Sequence, residues 1–127
     1  MPQGFQVTGR VDADARRIVF SARGEIDSRV LMDRIIEIYS GIAEPWTYDR
    51  VFDYRRSDGL IEFVDVERLA AWWAAHIDPD CAPTKVAVIV NNPLDLARAR
   101  SAGPLFPKDQ VQSFLSLDEA LRWLEEE

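Results

Sequence analysis

The chain opens on an alternating pattern. In "GFQVTGRVDADARRIVFSARGEI" apolar and polar residues exchange places almost step by step on both sides of an "ADARR" turn, the period of strands with one covered face. This predicts a β-hairpin with Phe5, Val7 and Val11 on one arm and Ile18 and Phe20 on the other. The period then changes. "DSRVLMDRIIEIYSGI" places Leu31, Ile35, Ile38 and Ile42 at steps of four, three and four, one face of a helix. Asp27 or Ser28 offers a side-chain oxygen to the free N–H groups of its first turn, and Gly41 and Pro45 suit its end.

"YDRVFDYR" reads as a short buried strand, bounded by Pro45 and by the Ser57-Asp58-Gly59 turn. A second helix follows in "SDGLIEFVDVERLAAWWAAHID", with an expected N-cap at Asp65 and an end near His76. After the loop "DPDCAPT", the run "KVAVIVN" is nearly continuously apolar and β-branched. It suits a central strand covered on both faces, or one lying between two parallel neighbours. "NNPLDLARARSAG" predicts a third helix, with Asn92 as N-cap, Pro93 at the first helical position and Gly103-Pro104 as the stop. "QVQSFL" gives a last short strand. "SLDEALRWLEEE" carries a capping box, Ser116 with Glu119, and runs Leu117, Ala120, Leu121 and Leu124 along one face. The order implies an α/β fold: a mixed sheet of about five strands with an N-terminal antiparallel hairpin, the remaining strands mainly parallel, and about four helices, with residues 1–127 as a single domain.

Composition narrows the function. Twenty-two acidic residues against fifteen basic ones give a net charge of −7, which repels nucleic-acid phosphates and anionic lipid. No nucleic-acid partner is expected, and the pairs Arg16-Arg17, Arg55-Arg56 and Arg98 with Arg100 read as solvated charges. The one cysteine, Cys81, allows no intrachain disulfide and suits a reducing cytoplasm. "MPQGFQVTGR" has no basic region followed by an apolar run, and no apolar stretch is long enough to span a bilayer, so a soluble cytoplasmic protein is expected.

The candidate chemistry concentrates on the second helix. Val66, Leu69, Ala70, Trp73 and Ile77 form a stripe that faces the sheet, which makes Trp73 core. Trp72 lies about 100° further round, beside Leu69 and His76. A partly exposed indole marks a contact surface, so Trp72 is the better contact residue. Ala70, Ala71, Ala74 and Ala75 keep the helix smooth and let another element or a ligand approach. His76, Asp78, Asp80 and Cys81 fail as a metal site: they mix hard and soft ligands around a turn, and the chain holds no second histidine or cysteine. His76 is explained by its favourable place at a helix C-terminus. No serine stands in a nucleophile elbow, and the six glycines form no phosphate loop. Neither enzymatic activity nor a cofactor is expected.

In element order, "YDRVFDYR" (48–55), "KVAVIVNNPLDLARA" (85–99) and "VQSFLSLDEALRWL" (111–124) resemble the SpoIIAA-like fold of STAS domains, and more closely the stand-alone STAS-like bacterial proteins. The anti-sigma factor antagonists of that family carry a phosphorylated serine in an Asp-Ser-Ser-Gly run at the start of the second helix. Laid on it through Phe63 and Asp65, "EFVDVERL" puts Val66 and Glu67 at the serine positions and Arg68 at the glycine. Asp65, Val66 and Glu67 thus form a degenerate phosphoswitch position without an acceptor. The resemblance implies a non-enzymatic regulatory or interaction module, acting through a protein partner or as a homodimer. The alternative it implies is a binder or carrier of an apolar small molecule or lipid, in a cleft between the second and third helices. That cleft would be lined by Leu69, Trp72, Trp73, Leu96 and Phe106, with His76 among the contact residues. Membrane docking through Trp72 and Phe106 is disfavoured by the charge.

Overall fold

The computed structural model describes residues 5–126. β1 (Gln6–Asp12) and β2 (Arg17–Glu25) form the antiparallel hairpin. Its turn is held where the Asp12 carboxylate accepts from the Ala15 N–H at 3.1 Å, with Arg16 in the left-handed region at φ 56°. There follow α1 (Ser28–Ser40), β3 (Asp49–Asp58), α2 (Phe63–His76), β4 (Thr84–Ile89), α3 (Pro93–Ala102), β5 (Asp109–Phe114) and α4 (Leu117–Glu125). The sheet order is β1-β2-β3-β4-β5, and every pair after the hairpin is parallel.

A strand order that runs steadily across the sheet, with right-handed crossovers, sends every crossover helix to the same face. The cores follow this division. Ile18, Phe20, Leu31, Ile35, Phe52, Leu69 and Trp73 are buried together on the face of α1 and α2, while Val51, Ala87 and Ile89 meet Ala120 and Leu124 of α4 on the other. Successive strand residues point to opposite faces, so β4 must be apolar at nearly every step, with Val86 in one core and Ala87 and Ile89 in the other. Both readings of "KVAVIV" hold, because β4 also lies between two parallel neighbours.

Local capping is as expected at α3 and α4: Asn92 Oδ1 accepts from the Asp95 N–H at 2.9 Å, and Ser116 Oγ from the Glu119 N–H at 3.3 Å. At α1 the cap is Asp27, which accepts from the Val30 N–H at 3.2 Å. Ser28 is buried and does something else. Its hydroxyl accepts the Glu62 N–H at 2.9 Å, tying the start of α1 to the start of α2. This moves the second helix from its expected start. The N-cap is Glu62, not Asp65, and the Asp65 and Val66 N–H groups donate to the Glu62 carbonyl. Two hydrophobic expectations also shift. Val11, near the turn end of the edge strand, is 41% exposed, and the buried stripe of α1 is Leu31, Met32, Ile35 and Tyr39, with Ile38 and Ile42 half-buried beside it.

Candidate functional site

A cavity of about 450 Å³ lies on the sheet face between α2 and α3, within the size range of small-molecule sites, about 300–1,000 Å³. It exists because the elements around it leave volume unfilled. α2 packs on α1 through Leu69 and Trp73 and stands away from α3. α3 answers with short side chains, Ala99 and Ala102, followed by Gly103, over a floor of valines from β4 and β5. Toward the ends of the strands the wall passes into Leu60 and Phe63, both about half exposed, at 49% and 46%. Gly59 shapes this rim at φ 103°, a left-handed conformation that an L side chain rarely adopts, with Ile26 backbone atoms 3.4 Å from where a Cβ would stand.

Of the polar residues that line the cavity, Tyr39, Arg50, Tyr54, Ser57 and Asp109 are buried or half-buried, whereas Glu62, Arg98 and Ser101 are exposed and the half-buried Asp95 pairs with Arg98 at 3.5 Å. Arg50 is 1% exposed. Its Nη2 pairs with Asp109 Oδ1 at 2.7 Å and donates to Thr84 Oγ1 at 3.3 Å, and its guanidinium lies 4.3 Å from the centre of the Trp73 ring. Its Nη1 is buried with no hydrogen-bond partner. Burial pushes the Asp109 carboxyl above the ordinary carboxylate range against the opposing pull of Arg50. Burial likewise raises the Tyr39 and Tyr54 hydroxyls well above the usual phenol value, so both stay protonated. Tyr39 is fixed by Trp73 and Phe20, with ring centres at 4.7 and 5.2 Å.

The residues singled out in the sequence divide between places. Leu69, Trp73 and Phe106 line the cavity. Trp72 and His76 do not: they line a second, smaller depression with Ile42, Pro45 and Trp46, where the two rings stack at 4.3 Å and His76 Nδ1 lies 2.7 Å from the Trp72 carbonyl. Leu96, half-buried on α3, lines neither. The helical rotation explains this: Trp73 faces the sheet, and its neighbour is carried about 100° round α2, where its ring lies 6.1 Å from that of Tyr39 on α1. The alanines contribute no cavity wall, since Ala70 is buried and Ala71, Ala74 and Ala75 are exposed. At the degenerate phosphoswitch position, Asp65 occupies the first turn, and Val66 lines the cavity. Glu67 is exposed in the second turn, beyond the free N–H groups that favour an anion.

Arg50 and Asp109 are not among the residues singled out in the sequence, although it carries a signal for them. Arg50 is in phase with Phe52 and Tyr54 in "YDRVFDYR", and Asp109 is in phase with Val111, so period two places both charges on an apolar face. Among the described residues, no group of three or more His, Cys, Asp or Glu side chains is placed to hold a metal ion, and no helix is long and apolar enough to cross a membrane. Several arginines of the basic pairs meet acids: Arg17 with Glu125 at 2.7 Å, Arg55 with Asp53 at 2.8 Å, and Arg98 with Asp95 at 3.5 Å.

No family model and no curated protein matches the chain by sequence. Solved structures do match by shape. An uncharacterized DUF3478-family protein with a SpoIIAA-like fold from Shewanella loihica PV-4 aligns with a TM-score of 0.60 at 21% identity, over 95% of this chain and 93% of that one. An anti-sigma factor antagonist from Mycobacterium paratuberculosis aligns with a TM-score of 0.59 at 19% identity, over 95% and 96% of the two chains. With its hairpin, its three parallel crossovers and its five-stranded sheet, the chain has the SpoIIAA-like fold.

Proposed function

We propose that this chain is a non-enzymatic binding module that takes an apolar small molecule into the cavity between α2 and α3. The observation that carries this reading is the cavity itself: about 450 Å³, walled by valine, leucine and aromatic side chains, with Leu60 and Phe63 at its rim. A site with a large apolar wall and a few convergent polar groups is the usual form of a ligand pocket. A binding role without catalysis is supported by the place of the single imidazole, His76, which is stacked on Trp72 outside the cavity. The test is fluorescence enhancement of the apolar probe N-phenylnaphthylamine on titration with the protein. Enhancement is expected in the wild type and loss of it in Ala99→Phe, which fills the cavity from α3. Absence of enhancement, or equal enhancement in the variant, would refute the reading.

A protein-interaction role has a separate observation behind it. Leu60, Phe63, Val64 and Leu94 are exposed at the adjoining ends of β3, α2 and α3, and one structural neighbour is named an anti-sigma factor antagonist. A protein partner or a second copy of the chain docking there would use the ends of α2 and α3 and leave the cavity behind them. Native mass spectrometry beside a denatured spectrum separates the two roles, reporting subunit number and any non-covalent ligand in one sample.

A further inference from the structure

Resting on the reading of the cavity as a ligand site, we infer that its ligand is neutral and carries a carbonyl-type oxygen, which accepts a hydrogen bond from Arg50 Nη1 with the Tyr39 and Tyr54 hydroxyls beside it. The polar groups of the cavity are unequal in kind. A guanidinium has five N–H donors and no acceptor, and a tyrosine hydroxyl that stays protonated donates readily. The buried carboxylate among them, Asp109, is already engaged by Arg50 Nη2, the Ser57 hydroxyl donates to the Tyr54 carbonyl, and Asp95 is paired with Arg98. Around the buried ion pair, what remains on offer is donors. Arg50 Nη1 is the clearest of them, since a buried N–H without a partner is costly and rare enough in native proteins to require an explanation. A ligand oxygen is one such partner, delivered into a cavity that Arg50 itself lines.

The charge of the ligand follows from the ion pairs, since the other cation of the lining, Arg98, is itself paired with Asp95 at 3.5 Å and Glu62 adds a further carboxylate. Asp109, 2.7 Å from Arg50, already balances the guanidinium, and both side chains are almost wholly shielded from water, at 7% and 1% exposure. A carboxylate ligand would bring a second anion into the same low-dielectric space, where like charges repel strongly and desolvation is costly. A ketone, ester or amide oxygen satisfies Nη1 without that cost. The rest of the ligand is apolar, to match Val86, Val88, Leu69 and Phe106.

The test uses three molecules of one shape: benzylacetone, which has a neutral carbonyl; isopentylbenzene, which replaces it by a branched carbon; and hydrocinnamate, which replaces it by a carboxylate. Each competes with N-phenylnaphthylamine for the wild-type protein at pH 7. One added buried hydrogen bond predicts that benzylacetone displaces the probe at about tenfold lower concentration than isopentylbenzene, with hydrocinnamate the weakest. In Arg50→Met/Asp109→Leu, which removes both charges together, benzylacetone and isopentylbenzene should compete equally. A wild-type measurement covers the case in which that variant fails to fold: the infrared carbonyl stretch of bound benzylacetone should move to lower frequency than in a hydrocarbon solvent. Equal competition by ketone and hydrocarbon, an unshifted stretch, or a persisting ketone preference in the variant would overturn the assignment to Arg50. Preference for hydrocinnamate would overturn the neutral class. In each of those results the probe still binds and the cavity stands as a ligand site, whereas failure of the probe itself to bind overturns both readings.

Discussion

Replacement of Asp109 by alanine should cost about 3–5 kcal/mol, because it leaves the almost wholly buried Arg50 guanidinium without its counter-charge. The structure supplies each part of that figure. The Arg50 and Asp109 side chains are 1% and 7% exposed and meet at 2.7 Å. With Asp109 gone, Arg50 retains the Thr84 hydroxyl at 3.3 Å and the face of Trp73 at 4.3 Å. Neither is a counter-charge, and a desolvated cation–π contact is worth roughly 2 kcal/mol. A surface pair of the same length would be worth only about 0–1 kcal/mol, so the size of the loss reports burial directly. Removing both charges has the opposite consequence: Arg50→Met/Asp109→Leu should match the wild type or exceed its stability, by about 1–4 kcal/mol where the new side chains pack well. Urea unfolding followed by tryptophan fluorescence gives the midpoint and the slope m for all three proteins, and an unchanged m keeps the comparison one of stability. A loss below about 1 kcal/mol in Asp109→Ala, or a double variant no more stable than the single one, would refute the picture of a buried pair.

Two further predictions rest on neighbouring residues. Trp73→Ala should destabilise by about 3–5 kcal/mol, since Trp73 is 5% exposed and packs on both Tyr39 and Arg50. Trp72→Ala should cost roughly 1–2 kcal/mol from its stacking and partial burial and leave probe binding unaltered; equal large losses in urea melts, or lost binding in Trp72→Ala, would contradict the orientation of α2. Asp53 gives a pH dependence of defined sign. Burial pushes its carboxyl up, but hydrogen bonds from Arg55 outweigh that and hold it below the usual range. Its contribution to stability is therefore complete above the unfolded carboxylate value of about 3.9 and is lost as pH falls through the lower folded value. Asp53→Asn should be less stable than wild type at neutral pH and approach it at the acid end of a pH series of urea melts, and a constant difference would exclude this role.

Much of the fold is local information. Asn92 and Ser116 cap helices within three residues of themselves, Pro93 stands where a missing N–H does no harm, and the unbroken apolar run of β4 demands cover on both faces. Such signals depend on neighbours in the chain, and for that reason the order of strands and helices was readable without coordinates. Asp27 and Ser28 show the limit: either oxygen can cap α1, and the distant Glu62 N–H decides that Ser28 is used elsewhere. The cavity between α2 and α3, with Leu69, Trp73 and Phe106 among its walls, is what the resemblance to STAS-like proteins implies as an alternative, while the helical stripe by itself identifies only the inward face that carries Leu69 and Trp73. That Trp72 turns away to stack on His76, and that Arg50 reaches across β4 to Asp109, were decided by tertiary structure. Period and propensity say which side of an element is covered. How far apart two covered elements stand, and whether the space between them is filled, depends on side chains that meet only after the crossovers have brought their strands side by side.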